Sequence, residues 1–164
     1  MKFIRYAAAL TVVLCASAAL AESGAKKTFD SLKALDGTWE GKNSKGEALK
    51  VTFRETAGGS ALLSEIHGMG AHDMVSMIHL DGDRLLMTHY CGAGNQPRMA
   101  ASLAPDGKSI AFDFVDSTNL ASADAGHMNQ VVFAMADGGH HTEEWTFLDH
   151  GKTMKELFTL ERTK

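Results

Sequence analysis

Apolar and polar positions alternate along most of this chain, in short runs separated by residues that favour turns. The cleanest run is 48–55, where Leu49, Val51 and Phe53 alternate with Lys50, Thr52 and Arg54. Period-two alternation is the mark of a half-buried β-strand. Similar runs predict strands at 38–42, 61–67, 98–103, 109–116, 127–135, 140–148 and 152–162, with Ile110, Phe112 and Phe114 marking an inner face. Asn43-Ser44-Lys45-Gly46, Gly58-Gly59, Pro105-Asp106-Gly107, Asp137-Gly138-Gly139 and Asp149-His150-Gly151 supply the turns between them. Only the N-terminal part departs from this rhythm. Phe29, Leu32 and Leu35 recur three apart, a one-face helical spacing that Gly37 ends. Short strands joined mostly by tight turns predict an all-β fold: a single up-and-down antiparallel β-barrel of about ten strands with one short N-terminal helix.

The stretch from Met74 to Met99 holds the clearest hairpin. Asp81-Gly82 is a two-residue turn signal, because such turns need positive φ at central positions. Pairing outward sets Leu80 against Asp83, Ile78 against Leu85 and Met74 against His89. Met74, Ser76, Ile78, Leu80, Leu85, Met87, His89 and Cys91 then share one face, and His79, Leu86, Thr88 and Tyr90 lie on the other. Apolar residues occur on both, so the pattern leaves open which face points inward. The loop after Cys91 places Asn95, Gln96 and Arg98 beside the same hairpin end.

The first residues read as an address rather than as structure. Lys2 and Arg5 precede an apolar run from Ala7 to Ala16, and Ala19-Leu20-Ala21 is a small-residue cleavage site. This predicts a cleaved secretory signal peptide over 1–21, a flexible polar leader over 22–27 and a barrel domain over 28–164. The expected location is therefore periplasmic or secreted. The apolar run is short for a membrane span. Removing Lys2 and Arg5, with no acid in the segment, takes the formal charge from −4 to −6. An acidic chain without a basic cluster argues against nucleic acid and against attachment to anionic lipid. Cys15 leaves with the signal, so Cys91 has no intramolecular partner for a disulfide.

Candidate chemistry gathers at the hairpin end. His89 and Cys91 lie two apart on one face, but two ligands fall short of a closed metal site. The other histidines match no zinc spacing, and the methionines are spread as flexible core filling would spread them. Glu156 shares its face with Met154, Phe158 and Leu160, and Glu143 shares one with Trp145 and Phe147. An inward carboxylate needs a partner, for which Arg98, Arg162 or a ligand are the candidates.

Leu35-Asp36-Gly37-Thr38-Trp39 resembles the opening of calycin-type barrels, the lipocalin and fatty-acid-binding superfamily. The resemblance implies that Gly37 and Trp39 are structural, with the Trp closing one barrel end beneath a basic side chain from the last strand, here Arg162. The Gly37-Thr38-Trp39-Glu40-Gly41 run and the strand count are also similar to nitrobindin-like haem barrels, which makes haem the implied cofactor to test. The segment from Thr88 to Arg98 resembles secreted bacterial lipocalin-like proteins.

The expected function is that of an exported binding protein holding a small apolar or amphiphilic molecule. His89, Tyr90, Cys91, Asn95, Gln96, Arg98 and Glu156 are the expected ligand-contacting residues, with Arg98 placed to take an acidic head group. A haem-binding or enzymatic barrel using His89 and Cys91, or an envelope protein with a filled barrel, are the alternatives. No catalytic motif is present in the sequence, and no metal site is expected.

Overall fold

The computed structural model describes residues 23–70, 72–103 and 108–163. The expected signal peptide and the Pro105-Asp106-Gly107 turn lie outside them. One helix, α1 (Gly24–Lys33), precedes ten strands: β1 (Gly37–Lys42), β2 (Ala48–Thr56), β3 (Ala61–His67), β4 (Met74–Asp81), β5 (Arg84–Tyr90), β6 (Gln96–Leu103), β7 (Ser109–Thr118), β8 (His127–Met135), β9 (His140–Asp149) and β10 (Lys152–Arg162). Each strand pairs antiparallel with its neighbour in sequence, and β1 also pairs with β10, so the meander closes into a barrel. The all-β architecture expected from the alternation is the one observed. Closure removes the exposed edges that an open sheet of this kind would carry.

The faces follow the alternation. Leu49, Val51 and Phe53 are buried inside the barrel, while Lys50 and Arg54 face outward. An apolar interior with charge outside is the reverse of a lipid-facing barrel. Among the described residues, no helix is long and apolar enough to cross a membrane.

Helix α1 starts earlier than the sequence suggested. Ser23 caps it, its hydroxyl accepting the Lys26 amide at 3.2 Å, so residues expected in a flexible leader form the first helical turn. Phe29 and Leu32, with Leu35 just beyond, are buried in the same core as Trp39. The helix packs against β2, β4 and β5 and covers one barrel end. Trp39 lies beneath it, its indole N–H donating to the Leu35 carbonyl at 2.7 Å.

The central hairpin turns one residue later than expected, which shifts each cross-strand partner by two. Asp81 pairs with Arg84, Leu80 with Leu85, Ile78 with Met87 and Ser76 with His89. Gly82 and Asp83 are therefore the loop residues, and Gly82 takes φ +58. Glycine at the first central position suits a two-residue hairpin turn as well as Asp-Gly does. A two-residue slip preserves which side chains share a face, so the face assignment survives the change of partners.

Candidate functional site

The inward face of the hairpin is the one that carries His89. Ser76, Ile78, Met87 and His89 are buried in the barrel, whereas Tyr90 points outward and is 51% exposed. Ser64 on β3, Ser76 on β4 and His89 on β5 sit side by side, because Ser64 pairs with Ser76 and Ser76 with His89. Three adjacent strands thus place a polar strip on an otherwise apolar wall. The Ser76 hydroxyl and His89 Nδ1 are 2.9 Å apart. Across the barrel interior, the His89 ring packs against the Trp145 ring of β9, with centroids 4.9 Å apart.

Two atoms of the strip have no hydrogen-bond partner among the described residues: Ser64 Oγ and His89 Nε2. Burial lowers the His89 pKa to about 4, so the imidazole is neutral at ordinary pH. A neutral ring has one N–H, and the Ser76 contact decides where it sits. When the Ser76 hydroxyl donates to Nδ1, Nε2 carries the proton; when Nδ1–H donates to Ser76, Nε2 is an acceptor.

A second polar group lies on β9. Glu143 is wholly buried; it accepts the Trp145 indole N–H at 2.9 Å and lies 3.1 Å from His141 Nε2. His141 in turn meets the Trp39 ring edge-on at 4.3 Å. The carboxylate expected to face inward does so, and protein side chains satisfy it.

The predicted rim residues lie at the barrel end opposite α1, and they reach it unevenly. Past the end of β5, the Cys91 amide donates to the Asn95 carbonyl at 3.1 Å. The thiol is half-buried, and burial pushes its pKa up against a smaller opposing hydrogen bond from Ala93, so the reactive thiolate is disfavoured. Asn95 is buried and donates to the Gly126 carbonyl at 2.8 Å, and Asn119 donates to the Gly94 carbonyl at 2.6 Å. These bonds stitch the loop after β5 to the loop after β7. Gln96 accepts from Thr118 at 2.7 Å.

Arg98 and Glu156 have other partners than the sequence suggested. Both nitrogens of the Arg98 fork reach Asp116 at 2.5 Å on the outer surface, where the guanidinium holds the Asp116 carboxyl below its usual range. The fork is filled, and it lies on the outside of the barrel. Glu156 accepts from the Ser44 amide at 3.0 Å and has Lys45 Nζ at 3.8 Å, tying β10 to the first hairpin turn. Arg162 covers Trp39, and a Cβ on Gly37 would come within 2.7 Å of its Nη1. Gly37, Trp39 and Arg162 therefore form one structural unit at the α1 end.

Against known proteins, the fold is the finding. The chain is similar to a solved structure titled "Crystal Structure of Rv2717c from M. tuberculosis", at 16% identity and a TM-score of 0.57, covering 83% of this chain and 97% of that one. No family model and no curated protein matches. At that identity the likeness speaks for the barrel alone.

Three chemistries can be tested against this geometry. Haem would need a macrocycle beside His89 Nε2, but that ring is wholly buried with Trp145 against it, and His141 Nε2 already faces Glu143. A rigid plate reaches Nε2 only by displacing core side chains, so these residues do not fit haem. No group of three or more metal-binding side chains gathers among the described residues. Ser76 with His89 has the spacing of a nucleophile and its base, while burial lowers the His89 pKa and so weakens it as a base. Hydrogen bonding is the chemistry left to the strip, through Ser64 Oγ and His89 Nε2.

Sequence reasoning missed Ser64 and left Ser76 without a role. The signal was available in part: Ser76 and His89 were already on one face, and a serine among apolar neighbours on a strand is a polar group that needs a partner.

Proposed function

We propose that this chain is an exported binding protein whose barrel holds a small, largely apolar molecule, with the polar strip of Ser64, Ser76 and His89 supplying the hydrogen bonds that fix it. The observation that carries this reading is the pair of unpartnered buried atoms, Ser64 Oγ and His89 Nε2, on an apolar wall. A buried polar group without a partner costs about 1–3 kcal/mol. A molecule that hydrogen-bonds to the strip removes that cost and gains apolar contact besides. The mouth loops, stitched through Asn95 and Asn119, are the part of the barrel that would open. Export rests on the Lys2 to Ala21 segment, and the mature chain begins at Glu22 in this reading.

A filled barrel with an architectural role is the second reading, favoured by the complete burial of Met87, Met99, Phe112 and Phe133 in the interior. Native mass spectrometry of protein recovered from the exported fraction separates the two. A bound adduct lost on organic extraction, with saturable uptake of aminoanthracene by the extracted protein, supports binding. A bare mass with no uptake supports the filled barrel and overturns the proposal.

A further inference from the structure

We infer that the strip is built for an uncharged hydrogen-bonding head group, so that the occupant is a neutral amphiphile such as an alcohol, ketone or amide and not a carboxylate; this rests on the binding reading above.

The charge inside the barrel is the first reason. No Lys or Arg among the described residues is buried, and the guanidiniums of Arg98 and Arg162 are committed to Asp116 and to the Trp39 end. The histidine of the strip is neutral. The buried carboxylate of Glu143 is linked to the strip through Trp145, which donates to it and packs against His89. A carboxylate head in this low-dielectric interior would meet no Lys or Arg among the described residues, and an uncompensated buried charge is costly.

The second reason is the versatility of the strip. A hydroxyl both donates and accepts, and the Ser76 contact lets His89 Nε2 do either. Ser64 Oγ also does either. An alcohol head needs both roles, and a carbonyl needs one. The walls suit the rest of such a molecule: Met74, Met87, Met99 and Met128 belong to or pack on the core cluster. Their unbranched thioether chains repack around a flexible alkyl tail where branched side chains would not.

Isothermal titration calorimetry of the mature chain with octanol and with octanoate at pH 8 tests this. Octanol is expected to bind at least tenfold more tightly. Ser64→Ala should weaken octanol several-fold, and because Ser64 Oγ has no partner, that variant should melt no lower than the parent. His89→Gln should also weaken octanol. Octanoate binding as tightly as octanol, or octanol binding that ignores Ser64→Ala, overturns the inference and leaves the binding reading intact. Uptake of aminoanthracene without binding of octanol overturns the inference in the same way. Failure of all three ligands to bind overturns both.

Discussion

Arg162 lies across the face of Trp39, its guanidinium carbon 4.3 Å from the ring centroid. The same guanidinium donates to the carbonyls of Ala34, Asp36 and Gly138, so one side chain ties together the helix end, the first strand and the β8–β9 turn. Arg162→Ala removes a cation–π contact and charge-assisted hydrogen bonds together, an expected loss of about 2–3 kcal/mol. Arg162→Lys should recover only part of this, because a point charge cannot reproduce the planar fork. Urea denaturation midpoints of the two variants check the order.

Gly41 predicts a sharper effect. A Cβ there would lie 1.9 Å from the Thr159 carbonyl oxygen, a backbone atom of the adjoining strand. Gly138 has open space around it and no positive φ. Gly41→Ala should therefore cost about 3 kcal/mol or more, the severe end of overpacking, whereas Gly138→Ala should leave the melting temperature nearly unchanged. Equal melting temperatures for the pair would contradict the close approach of β1 and β10.

The buried imidazole gives a pH signature. The folded pKa of His89 is lowered to about 4, below its ordinary value of 6.5. The unfolded chain thus binds the proton first as pH falls. Stability from this group is fully present above 6.5, declines as pH drops towards 4 and is constant below that. The loss is on the order of 3 kcal/mol. Asp116, Asp124 and Asp137 have depressed pKa values, so their contributions are lost only below the ordinary Asp value of 3.8. Stability measured from pH 7.5 to 4 should fall for the parent and be flatter for His89→Leu.

Glu143 should behave as a buried group satisfied by two partners. Glu143→Ala leaves the Trp145 indole N–H without its acceptor and His141 without its neighbour, an expected loss of about 1–3 kcal/mol for each group left unsatisfied. The fluorescence of the folded variant should also change, because Trp145 is one of only two tryptophans in the chain. Parental stability would mean that the carboxylate is not held as described.

Alternation made most of the fold legible, because inward and outward positions on a half-buried strand differ in side-chain chemistry. It placed Glu143 inside and put Ser76 with His89. It could not fix the hairpin turn, since Asp81-Gly82 and Gly82-Asp83 each satisfy the turn and a two-residue slip leaves every face unchanged. Partners distant in sequence were harder to read. Glu156 finds Ser44, and Arg98 finds Asp116 beside a bulge that shifts the β6–β7 register. Such pairings depend on how strands are staggered, which the hydrophobic pattern of a single strand does not contain. The polar strip is likewise a property of three neighbouring strands.

Because β1 and β10 are hydrogen-bonded neighbours, Trp39 meets Arg162 across almost the whole length of the domain. Until the last strand arrives, the sheet has two raw edges and the Trp39 ring has no guanidinium over it. Contacts of such long sequence separation slow folding, since the chain must lose its loop entropy before they form. Barrel closure therefore waits on β10, the strand that joins the two edges. A polypeptide stopped short of Phe158 would present open strands able to join those of another molecule.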